Sequence, residues 1–142
     1  MAWITPKTDW YGYTDGNGDY QGDRFNATDY NRIKNNLQFL HDLAVKMQEE
    51  FSIANMGDDK GFEDYPYADE INLIEDNLET ISSNTFQQGY GVKAVFTDNG
   101  AFIDYTELNR IESASLDLYD KLMNQFSGRR MLQFMFGPKG GV

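Results

Sequence analysis

Asn31-Arg32-Ile33-Lys34-Asn35-Asn36-Leu37 decides how this chain is read, because its opening triplet returns as Asn72-Leu73-Ile74 and again as Asn109-Arg110-Ile111. Each copy heads an apolar-periodic run. The copies stand 41 and then 37 residues apart, a spacing at which an internal repeat forms one supersecondary unit. Around the first copy Tyr30, Ile33, Leu37, Leu40, Ala44, Met47 and Phe51 recur at steps of three and four, which predicts a helix over about 28–51. Ile71, Ile74, Leu78 and Ile81 predict a second, shorter helix. Leu108, Ile111, Leu118, Leu122 and Phe126 predict a third, with Gly128 placed for a left-handed C-terminal cap.

Between these runs the chain is punctuated. Gly57, Gly61 and Pro66 mark a linker, and Val95-Phe96 and Phe102-Ile103 around Asp98-Asn99-Gly100 predict a small β-hairpin over 92–103. Residues 1–25 are rich in Gly, Asp and Tyr, carry Trp3 and Trp10, and lack sustained periodicity, so they read as an extended aromatic arm. In 129–142, Leu132, Phe134 and Phe136 alternate with Gln133 and Met135 and predict a strand-like tail ended by Gly137-Pro138. The expected fold class is mainly α: a three-helix repeat-like bundle (26–128) with a small β-hairpin and extended N-terminal (1–25) and C-terminal (129–142) arms.

The helix starts carry further signals. Asn26 and Asp104 occupy N-cap positions; Glu107 completes a capping box with Asp104, and Phe25 with Tyr30 and Ile103 with Leu108 sit at staple positions. Tyr67 breaks the pattern at the second helix. Asparagine is a poor helix-interior residue, so Asn31, Asn72 and Asn109 are expected to be amides that tie each helix to its entering loop, buried polar groups being satisfied internally as a rule.

Composition bounds the function. At 142 residues, 40% hydrophobic and 15% aromatic, the chain suits one domain with a modest core. The net charge of −11 disfavours nucleic acid and anionic membrane. That charge is uneven: Arg129, Arg130 and Lys139 make 129–142 +3, leaving 9 bases against 23 acids, or −14, on 1–128. A cationic, aromatic tail beside an acidic body suits docking on a neighbouring copy. The absence of cysteine removes disulfides and thiolate chemistry. No stretch of about twenty apolar residues calls for a membrane span, and the N-terminus lacks the apolar core of a secretion signal, so neither membrane insertion nor export by that route is expected.

Candidate chemistry is sparse. Asp15-Gly16-Asn17-Gly18-Asp19-Tyr20-Gln21-Gly22-Asp23 has the composition of a calcium loop, yet Tyr20 stands where an EF-hand needs glycine and Asn26 where it needs a bidentate glutamate, so a solvated turn is favoured. His41 is the only histidine and lies beside the apolar stripe, a boundary residue rather than a base. Glu49-Glu50, Asp58-Asp59 and Glu63-Asp64 read as a solvated acidic face and linker rather than a glycosidase pair. No catalytic, cofactor or metal residues are expected.

Thr5-Pro6-Lys7-Thr8-Asp9-Trp10 followed by Phe25-Asn26-Ala27-Thr28-Asp29-Tyr30-Asn31-Arg32-Ile33-Lys34-Asn35-Asn36-Leu37 resembles the start of small virion structural proteins of tailed phages and of prophages of Gram-positive bacteria. The likeness covers about the first fifty residues. The later copies share only Asn-x-Ile-x-x-x-Leu, and in the third Leu116 falls one step late. The resemblance implies a non-enzymatic tail-tip, baseplate or fibre-attachment component, assembled in the host cytoplasm into the virion. Its expected partners are copies of itself, with trimeric and sixfold arrangements both suited to a tail tip, and other virion proteins. Head-fibre or capsid decoration is the alternative, as is a host-surface carbohydrate-binding module in which Trp10 and Tyr13 stack on sugars.

Overall fold

The structure, a computed structural model, describes residues 3–47, 50–61, 64, 66–87, 90–91 and 105–136, the last eight of them as backbone only. In chain order its elements are β1 (Gly12–Thr14), β2 (Tyr20–Gly22), α1 (Ala27–Met47), α2 (Ala68–Ser83) and α3 (Tyr105–Phe136). The chain is mainly helical, with three helices and a small antiparallel hairpin among the described residues.

The first two helices begin where side-chain oxygens meet unpaired amides. At α1, Asn26 Oδ1 accepts from the Asp29 amide (3.0 Å) while Asp29 Oδ2 accepts from the Asn26 amide (3.1 Å), a reciprocal box. At α2, Tyr67 cannot supply such an oxygen, but Glu70 Oε1 accepts from the Tyr67 amide (2.8 Å), so half the box survives. The cap expected at Asp104 and the hairpin expected over 92–103 lie outside the described residues. α1 ends four residues short of Phe51. That residue instead sets its ring edge-on to His41, 5.0 Å between centroids, and its carbonyl accepts from His41 Nε2 (2.7 Å).

The apolar stripes meet in one core. Leu37, Leu40, Ile74, Ile81, Ile111, Leu118 and Leu122 are each no more than 1% exposed, and each such side chain is worth about 1.5–3 kcal/mol in transfer from water.

The helices run parallel. Arg32 of α1 pairs with Glu112 of α3, and seven residues further along both helices the Phe39 and Tyr119 rings lie 6.0 Å apart, an offset of 80 at each level. Between α2 and α3 the offset is 35 at Glu75 with Arg110, and 35 again where Lys121 lies over the Phe86 ring just past the end of α2. Parallel neighbours require each connection to return the length of a helix, about 30 Å for α1. That requirement explains linkers of some twenty residues in so small a domain.

Two segments depart from expectation. The described hairpin lies inside the N-terminal arm, where Tyr13 pairs with Gln21 across a turn at 15–19. Gly22 has φ +129°, and a Cβ there would stand 2.5 Å from the Gly12 Cα, so this tight ladder needs glycine at 22. The tail is helix to Phe136, not a strand from 132, and Gly128 is not among the positive-φ glycines: α3 passes through it instead of being capped by it. A Cβ at Gly128 meets nothing within 4 Å. Gly128→Ala is therefore expected to stabilise the fold by about 0.5–1 kcal/mol, read as a higher urea midpoint; a lower midpoint would contradict a continuous helix there.

Candidate functional site

Two of the three repeated asparagines, Asn31 and Asn109, are clamps. A primary amide offers an acceptor and donors side by side, and Asn109 spends both on one residue of the N-terminal arm: Oδ1 accepts from the Trp10 amide and Nδ2 donates to the Trp10 carbonyl, both at 2.7 Å. Asn31 holds Lys60 in the same way, at 2.8 and 2.9 Å. Asn72 is engaged as well. The expectation of internal ties thus holds for Asn31 and Asn109, with a different partner: each binds an arm other than the one entering its own helix.

The entering arm is held by a second set of amides that lie outside the repeated Asn-x-Ile triplet. Asn36 clamps Ile4 (3.0 and 2.7 Å) and Asn77 clamps Ala54 (2.9 Å in both directions). Asn36 and Asn77 are 1% and 2% exposed, and each lies five residues beyond the asparagine that opens its copy. That shared spacing was the signal available in the sequence. The third copy has Ala114 at this position.

The two described arms follow one pattern. The first meets helices at Ile4, Lys7 and Trp10, the second at Ala54, Gly57 and Lys60, the same steps of three. At the middle step the Lys7 amide donates to Glu112 (3.1 Å), whereas the Gly57 carbonyl accepts from the Lys34 ammonium (3.0 Å). Glu112 and Lys34 occupy the same place, three residues past Asn109 and Asn31. Opposite side-chain charges read opposite poles of the backbone.

Those residues also belong to a ring of buried charges between the helices. Arg32 reaches Glu112 with two parallel bonds, Nε to Oε1 at 2.7 Å and Nη2 to Oε2 at 2.8 Å, and its Nη1 meets Asp29 at 2.9 Å. The Trp10 indole N–H donates to Glu112 as well, so a carboxylate 1% exposed serves α1, α3 and the arm together. One position round, Arg110 donates to Glu75, which is 3% exposed. The third pair of the ring would join Leu73 to Lys34. Leucine cannot pair, and Lys34 turns instead to Asp59 Oδ1 (2.7 Å). Such pairs do not outperform apolar packing, but losing one member leaves the other charge stranded.

Asp59 is therefore more than part of a solvated acidic linker. The Lys34 ammonium, helped by the Asn35 amide, holds its carboxyl below the usual carboxylate range. A lowered folded-state pKa contributes stability that is present above the unfolded value, about 4, and lost as pH falls through the folded value. Loss of this pair is expected only in that acid range, and Asp59→Asn should flatten the acid limb of a stability-against-pH curve.

Other candidate residues resolve differently. Asp15 Oδ1 accepts from the Asn17 and Asp19 amides (2.9 and 3.0 Å) and Oδ2 from the Gln21 side chain (3.1 Å), holding the Asp15 carboxyl below its ordinary range. The 15–23 loop is thus a hairpin turn whose interior presents N–H groups, not the oxygens a hard cation needs. Calcium is expected to leave the melting temperature unchanged; a calcium-dependent rise would contradict that reading. Among the described residues no group of three or more acids and histidines is placed to hold a metal. His41 is a boundary residue between Asp42 (3.0 Å) and the Phe51 carbonyl. Trp10 is 3% exposed and cannot stack on a sugar, whereas Tyr11 and Tyr13 are each 57% exposed on the hairpin. Among the described residues no helix is long and apolar enough to cross a membrane. No family model, curated protein or solved structure matches this chain.

Proposed function

We propose that this chain is a non-enzymatic structural subunit of a virion, a tail-tip, baseplate or fibre-attachment part that assembles with copies of itself and with other virion proteins. The observation that carries this reading is where the residues of the resemblance sit. Lys7 and Trp10 from the first block, and Asn31, Arg32 and Asn36 from the second, all belong to the clamps and the charge ring that bind arm to bundle. A motif spent on holding a scaffold suits proteins that share an architecture rather than a reaction. The most polar residues of the repeated phrase are consumed internally, which leaves the hairpin tyrosines and the far end of α3 to meet partners.

The test is the particle. An antibody raised against the purified chain should label particles released from cells carrying the gene, with several copies per particle by quantitative mass spectrometry. Particles free of the chain while it accumulates in the same cells would overturn the proposal.

A further inference from the structure

The contacts of the bundle recur in cyclic order. What Arg32 of α1 does on α3 at Glu112, Arg110 of α3 does on α2 at Glu75. In the same way Asn109 of α3 grips the arm that leads into α1, and Asn31 of α1 grips the arm that leads into α2. With the helices parallel, each step is close to a rotation of one third of a turn about the bundle axis. One chain therefore carries the outline of a trimer, with two unlike ends.

Aromatic groups collect at the end where the helices start. Among the described residues five tyrosines are exposed, and all lie there: Tyr67 immediately before α2, Tyr105 at the first position of α3, and Tyr11, Tyr13 and Tyr20 on or beside the hairpin strands. The first arm puts the hairpin at that end. It runs from Ile4, held by Asn36 in the tenth position of α1, to Trp10, held by Asn109 in the fifth position of α3, and the hairpin follows. Aligned on the repeated asparagines, Tyr67 falls opposite Asn26 and Tyr105 opposite Ala27, so the repeat does not itself place a tyrosine at each start. Each helix nevertheless begins beside an exposed tyrosine, a side chain with a large contact area and a polar tip that is enriched in protein interfaces.

We propose that this end of the bundle docks coaxially on the end of a homotrimeric protein of the same particle, one chain to three, with the tyrosines as its contacts. Threefold order selects that occupant. A homotrimer presents each of its surface groups three times around an axis, and three tyrosine-bearing helix starts meet them together, so individually weak contacts combine. The exposed ionised side chains around the tyrosines, Asp19, Asp64 and Asp69 against Arg24, call for a neutral to basic face on the partner. This docking rests on the virion-subunit reading above and adds the symmetry of the partner to it.

The photoreactive residue p-benzoylphenylalanine, placed in turn at Tyr13, Tyr67 and Tyr105 of the full chain and assembled into particles, reads that symmetry directly. All three positions should cross-link to one protein and to the same peptide of it, because three partner subunits offer the same segment. The exposed Asp120 on the body of α3 should not capture that peptide. Tyr13→Ser/Tyr67→Ser/Tyr105→Ser should keep the urea midpoint of the purified chain and leave most of it outside particles; incorporation equal to that of the unmodified chain would overturn the docking end. Particles that contain the chain but cross-link it at the three positions to different peptides, to another copy of itself, or to no protein, as a glycan ligand would, overturn the trimeric partner and leave a structural subunit standing. Particles without the chain overturn both.

Discussion

Glu112→Ala is expected to cost about 3–5 kcal/mol of unfolding free energy, the largest effect of any single polar substitution in the chain. Three groups lose their acceptor at once. The Arg32 guanidinium, whose side chain is 12% exposed, keeps only Asp29; the buried Trp10 indole N–H and the Lys7 amide are left without Glu112. Glu112→Gln should cost less, since an amide oxygen still accepts from one of these donors but its NH2 group now faces the guanidinium. Because the charge ring acts as a unit, Glu112→Ala and Arg32→Ala together should cost well under the sum of the two single changes. Urea unfolding followed by tryptophan emission measures all four values in one series, Trp10 lying at the altered site. Additive losses would show that the Arg32–Glu112 pairing is not an energetic unit.

Asn109→Ala comes second, at about 2–3 kcal/mol, because it strands the N–H and the carbonyl of Trp10 on a residue that is otherwise buried, and each orphaned backbone group costs about 1–3 kcal/mol with partial relief from relaxation. Asn35→Ala is the internal control. Its amide makes an exposed bond to Asp59 (3.0 Å) and should change stability by no more than about 0.5 kcal/mol. Two helix asparagines, Asn109 on α3 and Asn35 on α1, thus separate by function: the one whose amide grips backbone matters, and the one whose bond is exposed does not. A change at 109 no larger than that at 35 would mean that the amide clamp adds nothing to stability.

The sequence carried the helices well and their partners poorly. Apolar periodicity records which face of a helix is buried, and the stripes through Ile33, Ile74 and Ile111 stand in the core where they were expected. It is silent about what polar side chains meet. Glu112 sits next to Ile111 in a stretch with Ser113 and Ser115 and reads as a flank of the stripe; it is buried because a guanidinium eighty residues away neutralises it. Asn36 and Asn77 were legible in principle through their shared spacing, but only a clamp geometry gives that spacing meaning. Helix direction was not legible, since a linker of twenty residues permits either a parallel or an antiparallel neighbour. In the N-terminal arm, Asp15-Gly16-Asn17-Gly18 is strong turn chemistry, yet three-residue strands rich in glycine leave no alternation to detect. The tail was misread because Leu132, Phe134 and Phe136 have a period of two in sequence while Gly128, an apparent stop, takes ordinary helical φ/ψ.

Residue-resolved amide hydrogen exchange tests most directly whether the repeated asparagines hold the arms on a parallel bundle. In the unmodified chain the amides of Ile4, Trp10, Ala54 and Lys60 should all be protected, though they lie outside helices and strands. In Asn109→Ala the Trp10 amide should lose most of its protection while Lys60, held by Asn31, keeps its own. A Trp10 amide that exchanges freely in the unmodified chain, or is protected equally in both, would contradict the clamp.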